Sequence, residues 1–306
     1  MDTRCSVVNQ QETKYIKEFI RHLSGERRLS THTALAYQRE LDSLLSWCAT
    51  TGLTRWGELD EQHLRLFAAR SHAGGLSPRS IQRRLSAVRS FLRYLAREGH
   101  IARNPGVDVR APKAAKRLPQ TLDVDQMSRL LQIPIDTPLA RRDLAIMELF
   151  YSSGLRLMEL VTLQLSDLDL VDQTVRVTGK GNKTRIVPVG SRARETLDHW
   201  LPIRAQWART DESAVFVSQR GQGLSARSIQ LRIGYWARHQ GIPVHVHPHL
   251  FRHSFASHLL ESSQDLRGVQ ELLGHADIAT TQVYTHLDFQ HLARIYDRSH
   301  PRARKR

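Results

Sequence analysis

The sequence has only two cysteines, Cys5 and Cys48, too few for a disulfide framework and without the paired spacing of a zinc site. Long apolar runs are absent too. Nothing approaches the roughly 18 to 20 consecutive apolar residues of a membrane-spanning helix, and the opening MDTRCSVVNQ lacks the apolar stretch of a secretory leader. These absences exclude a membrane span and make the cytoplasm the expected location. Acidic residues are in deficit, with 30 Asp plus Glu against 45 Lys plus Arg and a formal net charge of +15. Such an excess points to a polyanionic partner, either nucleic acid or an anionic membrane surface.

What is present supports globular folding, since 306 residues with 40% apolar content leave room for two domains with separate cores. The first third reads as amphipathic helices with basic faces. In LSPRSIQRRLSAVRSFLRYLAREGH, Ser77 suits a helix cap, Pro78 the first helical position and Gly99 the stop. Ile81, Leu85, Val88, Leu92 and Leu95 recur at helical spacing, while Arg79, Arg83, Arg93 and Arg97 fall largely on other faces. ERRLSTHTALAYQRELDSLLSW follows the same pattern, with Leu35, Leu41, Leu44 and Leu45 expected on one apolar stripe. Two basic helices favour a phosphate-binding face; the alternative is a pair of solvated surfaces.

NPGVDVRAPKAAKRLPQTL interrupts this pattern, because Pro105, Pro112 and Pro119 break helices and Lys113, Lys116 and Arg117 add charge. We expect a basic linker at 111–120, between a helical domain at 1–110 and a second domain at 121–306. In the second domain DVDQMSRLLQI and LARRDLAIMELFYSSG read as helices. TVRVTGKGNKTRIVPV reads as a β-hairpin, its Val175, Val177, Ile186, Val187 and Val189 flanking the turn-rich GKGNK. Helical patterns return from Ser225, so the expected class is mainly α with a small antiparallel sheet.

Several segments carry residues suited to chemistry on a phosphate. In SSGLRLMELVTL, Arg156 opens a helix whose Leu157, Leu160, Val161 and Leu163 face the core, and Glu159 one turn on can orient the guanidinium. The alternative is a surface Arg–Glu pair worth a few tenths of a kcal/mol. Lys180 lies in GKGNK, where glycines let a hairpin tip approach a ligand, although a solvated tip lysine is the plainer reading. In HVHPHLFRHSFASHLLESS, Pro248 suits a helix start that places His249 and Arg252 in the first turn, beside an apolar stripe of Phe251, Phe255 and Leu259. First-turn amides favour an anion there, a guanidinium can hold two phosphate oxygens, and an imidazole can exchange a proton.

Metal binding by His245, His247, His249 and His253 is the rival reading, but Leu250 stands where H-E-x-x-H needs its glutamate. In DLRGVQELLGHADIATTQVYTH, Gly274 suits a helix stop, His275 lies just beyond it, and Tyr284 stands in a threonine-rich and therefore weak helix. A lone tyrosine is ordinarily packing; on such a segment it can also be a group that moves.

GLRLMEL, GKGNK, HPHLFRH, LLGH and VYTH occur in the order and approximate spacing of the tyrosine recombinase family, and the basic first third resembles that family's core-binding, SAM-like domain. The resemblance covers nearly the whole chain. HPHLFRHSFASHLLESSQDLRGVQELLGH and THLDFQHLARIYDRSHPRARKR resemble the Xer branch, most closely its XerC group, with Phe251 where leucine is commoner.

This resemblance implies a C-terminal DNA breaking-rejoining domain in which Tyr284 is the nucleophile. Arg156 and Arg252 clamp the scissile phosphate, His275 bonds to it, His249 assists proton removal and Lys180 protonates the leaving oxygen. No metal or other cofactor is implied. Implied partners are double-stranded DNA at a dif-like site, XerD in a heterotetramer of two XerC and two XerD, and the FtsK translocase as activator. The implied role is the resolution of chromosome dimers at cell division. Arg79, Arg83, Arg93, Lys113 and Lys116 are candidate DNA contacts. Leu287, Phe289, Leu292, Ile295 and Tyr296 suit a docking helix in the tail. The alternatives are a phage or integron integrase, a type IB topoisomerase, and a non-catalytic DNA-binding protein.

Overall fold

A computed structural model describes residues 3–25, 31–113, 121–179, 183–265 and 268–269. The chain divides into two compact units, Met1–Leu118 and Pro119–Arg306.

Among its described residues the first unit holds four α-helices: α1 (Thr3–Gly25), α2 (Thr31–Thr50), α3 (Glu61–Ala73) and α4 (Pro78–Arg97). Helix α4 begins as its sequence dictates, with the Ser77 hydroxyl accepting from the Ser80 amide at 3.2 Å and Pro78 entering the first turn. It ends before Gly99, whose φ of 77° is the left-handed conformation that glycine adopts without strain. Ile81, Leu85, Val88, Leu92 and Leu95 are buried together with Phe19, Leu41, Leu44 and Phe67.

One expectation fails on α2. Leu35 is 48% exposed, while Ala34, Leu41, Leu44 and Cys48 form the buried stripe. Six residues separate Leu35 from Leu41, which at about 100° per residue turns it some 120° away from the core face. The same helix buries Glu40, which accepts from Arg84 Nε at 2.7 Å and from Arg83 Nη2 at 3.2 Å; Arg84 Nη1 also donates to the Ser71 hydroxyl.

The second unit is built around α6 (Pro138–Ser153), whose residues from Ala145 to Ser153 are all buried. It packs against α5 (Val124–Leu131), α8 (Ser191–Trp207), α9 (Ala226–His239) and α10 (Pro248–Ser263), and α7 (Leu157–Val161) follows it directly. A three-stranded antiparallel sheet of β1 (Leu168–Asp169), β2 (Thr174–Thr178) and β3 (Thr184–Pro188) completes the unit, with Val175 opposite Val187 and Val177 opposite Arg185. Val175, Val177, Val187 and Val189 turn inward onto the core, whereas Ile186, one residue out of phase, is exposed. Asp143 on α6 is buried and accepts from Arg142 Nη2 at 2.8 Å, Arg232 Nε at 2.5 Å and Trp236 Nε1 at 2.9 Å, which ties α6 to α9.

The architecture is mainly α with a small antiparallel sheet, as expected. Among the described residues no helix is long and apolar enough to cross a membrane.

Candidate active site

The site forms where α6 ends. Gly154 adopts φ 58°, and a Cβ there would lie 2.6 Å from Phe255 Cδ1, so only glycine lets α10 pack this closely. Two residues later Arg156 caps α7. Glu159 closes a capping box: its Oε2 accepts from the Arg156 amide at 2.8 Å and its Oε1 from Arg156 Nη1 at 2.9 Å. The surface-pair alternative does not hold for this carboxylate, because the Glu159 side chain is only 3% exposed.

A third group explains how it stays charged. Arg185 on β3, itself 7% exposed, forks onto Glu159 with Nη1 to Oε1 at 2.7 Å and Nη2 to Oε2 at 2.9 Å. Burial is the largest influence on Glu159 and opposes its charge. The Arg185 fork and the Arg156 donors together outweigh it and hold the carboxyl below the usual carboxylate range. Arg185 was not foreseen from sequence. The signal was its alternation with Val187 and Val189, which places it on the inward face of the strand.

Arg252 reaches the same place from α10. Its Nη1 donates to the Gly154 carbonyl at 2.6 Å. Burial pulls its pKa down to about 10, with the charges of Arg156 and Arg185 adding to the shift and Glu159 opposing it, so it remains cationic at neutral pH. Arg156 and Arg252 therefore stand close enough for their charges to act on one another, and the Arg156 side chain stays 38% exposed.

His249 is exposed, three residues before Arg252 in the first turn of α10. His247 caps that helix, its Nδ1 accepting from the Leu250 amide at 3.2 Å; burial, then the neighbouring His245, His249 and His253, push its pKa down. Among the described residues no three His, Cys, Asp or Glu side chains gather closely enough to hold a metal ion.

Lys180, His275, Tyr284 and the tail residues from Leu287 to Tyr296 lie outside the described residues, as does Lys116. The residue before Lys180 is described. The Gly179 amide donates to the Lys183 carbonyl at 2.8 Å, and a Cβ on Gly179 would stand 3.5 Å from Glu159 Oε1 and 3.7 Å from Arg156 Nη1. The base of the GKGNK loop thus rests on the Arg156–Glu159 pair. In the first unit Arg79, Arg83 and Arg93 are exposed on α4, and Lys113 is exposed beyond it.

Residues 120–291 match the phage integrase family, and residues 16–99 match the N-terminal SAM-like domain of phage integrases. The chain is 55% identical over 294 residues to the tyrosine recombinase XerC of Pseudomonas syringae pv. tomato, covering 96% of this chain and 98% of that relative. It is 53% identical over 291 residues to the tyrosine recombinase XerC of Xanthomonas campestris pv. campestris, covering 95% and 89%. Among solved structures, the XerH site-specific recombinase bound to difH substrate in a pre-cleavage complex matches with a TM-score of 0.67 at 23% identity, over 91% of this chain and 83% of that one. A lambda integrase dimer bound to a COC' core site matches with a TM-score of 0.66 at 19% identity, over 89% and 99%. At such identities these two likenesses speak for the fold. With the family matched across both units and relatives more than half identical over nearly its whole length, the chain belongs to the phage integrase family and is a site-specific tyrosine recombinase.

Proposed function

We propose that the chain cuts and rejoins DNA at a dif-type site with Tyr284 as nucleophile, acting beside XerD to resolve chromosome dimers in the cytoplasm at cell division. The observation that carries the chemistry is that Arg156 and Arg252, each on its own hydrogen-bond support, stand close enough at the end of α6 for their charges to act on one another. Neighbouring cationic donors held in place stabilise charge that builds on the non-bridging oxygens of a phosphate under attack more than they stabilise the resting diester.

The Tyr284 oxygen bonds to phosphorus while the bond to the 5'-oxygen breaks. The phenolic proton leaves towards His249, and the departing oxygen takes a proton from Lys180. His275 donates to the phosphate. The product is a 3'-phosphotyrosyl bond and a free 5'-hydroxyl, and an incoming 5'-hydroxyl reverses the step without ATP. The position of Gly179 beside Arg156 supports the lysine's part, since it roots the loop containing Lys180 at the clamp.

DNA is held by the net charge of +15 and by Arg79, Arg83, Arg93, Lys113 and Lys116. The core-binding domain spans 1–110 and the catalytic domain 121–306, joined by the basic segment 111–120. Two copies assemble with two of XerD, and the FtsK translocase activates the complex.

A nicked duplex carrying a dif-type site, built so that cleavage releases a short fragment, tests the assignment with XerD present and absent and EDTA throughout. A covalent adduct formed by wild type and not by Tyr284→Phe supports it. An adduct of equal yield with Tyr284→Phe moves the nucleophile elsewhere, and binding without any adduct favours a purely architectural protein.

A further inference from the structure

Arg185 stands one layer behind the clamp and is not among the residues given a part in the reaction. We infer that Arg185 is a positioning residue for strand cutting: its fork onto Glu159 cancels that carboxylate's charge and fixes its oxygens where they orient Arg156. The inference rests on the reading in which Arg156 and Arg252 grip the scissile phosphate of a bond attacked by Tyr284.

Three observations carry it. Both terminal nitrogens of Arg185 lie on Glu159, at 2.7 Å and 2.9 Å, and the side chain is 7% exposed, so it acts through the carboxylate and not by touching DNA. Glu159 in turn contacts Arg156 twice, through backbone and guanidinium. Arg185 also faces Val177 across the β2–β3 ladder, two residues before Gly179. The ion pair that steadies Glu159 therefore also anchors the strands on either side of the segment containing Lys180.

Charge explains why a cation is needed there. A phosphodiester carries one negative charge and its five-coordinate transition state carries two. Arg156, Arg185 and Arg252 set against Glu159 leave two positive charges; without Arg185, Glu159 would cancel one of the two remaining guanidinium groups just where charge develops. As a stabilising device the pair has little to recommend it, since buried ion pairs often do no better than apolar side chains of similar volume.

The test is single-turnover adduct formation on the nicked dif-type duplex at saturating protein, with wild type, Arg185→Gln and Arg185→Lys. Each is assayed on the native phosphodiester and on a methylphosphonate, in which a methyl group replaces one charged oxygen. Thermal melting of each variant is recorded in parallel. Arg185→Gln, which still hydrogen-bonds Glu159 but brings no charge, should slow cleavage of the native diester by about tenfold or more while DNA affinity stays within about threefold. On the methylphosphonate that deficit should shrink to about threefold or less, and Arg185→Lys should recover most of the native rate. A fold or packing role cannot depend on the substrate's charge, so equal deficits on both substrates, or no deficit on the native one, overturn the inference. Tyr284→Phe run alongside separates the two readings: if it still forms the adduct, the nucleophile assignment has failed instead.

Discussion

Glycine 154 shows how much one missing methyl group controls. Its φ of 58° is left-handed, and an added Cβ would meet the Phe255 ring at 2.6 Å. Gly154→Ala should cost about 1–2 kcal/mol for the backbone alone, before the ring is displaced, and a lowered melting temperature reads this. Its carbonyl also supports Arg252, so the same variant should cleave more slowly than its stability loss explains. Arg252→Ala should lower the cleavage rate on the order of a hundredfold, with binding of the site little changed; adduct formation against filter binding separates the two.

His258 gives a pH prediction. It is buried, its Nδ1 lies 2.9 Å from the Tyr151 hydroxyl, and burial pushes its pKa below 6.5 against the opposing influence of Glu261 and Asp123. As pH falls through 6.5 the unfolded chain takes up a proton that the folded chain resists, so stability should fall with it. Urea midpoints at pH 7 and pH 5.5 should differ less in His258→Asn than in wild type. At this scale motif spacing singled out Arg156, His249 and Arg252 as candidates, and the structure sets Arg156 at the start of α7 and the other two in the first turns of α10. The sequence hid Arg185 and misplaced Leu35, because each depends on which way an element faces, and neighbours in space decide that.

Among the elements, α4 was the most legible, since cap, first-turn proline, apolar period and terminal glycine all agree. Four of its six arginines, 79, 83, 93 and 97, fall within about 80° of one another at 100° per residue, a single exposed stripe opposite the buried leucines. If that stripe follows a DNA backbone, Arg79→Ala and Arg93→Ala should each weaken binding and reduce the slope of log affinity against log salt by about 0.9, with cleavage at saturation unaltered. Arg83 differs, being held by Glu40, and its removal leaves a buried carboxylate to Arg84 alone. The hairpin was readable from period and glycines. Strand β1 is two residues long, too short for any alternation to register, and the edge of the sheet went unseen with it. Pro202 sits inside α8, where its missing amide would argue against a helix, yet the packing of α8 on α6 and the burial of Trp200 override the local preference.

On the scale of the whole molecule, charge and division into two units were legible because both are sums over many residues, insensitive to any single side chain. A net charge of +15 makes binding a counterion problem. If the complex neutralises six to ten phosphates, raising salt from 50 to 200 mM should weaken affinity by about 10³ to 10⁵, and a shallow salt response would show that few of the cations touch DNA. The clamp at the end of α6 has a further consequence. In the proposed chemistry Arg156 and Arg252 hold the same non-bridging oxygens whichever ester oxygen is departing, so cutting and sealing are one path walked in opposite senses. Such a centre carries no arrow. On that reading the order of events would be imposed by which DNA end lies within reach, and direction would come from outside the clamp.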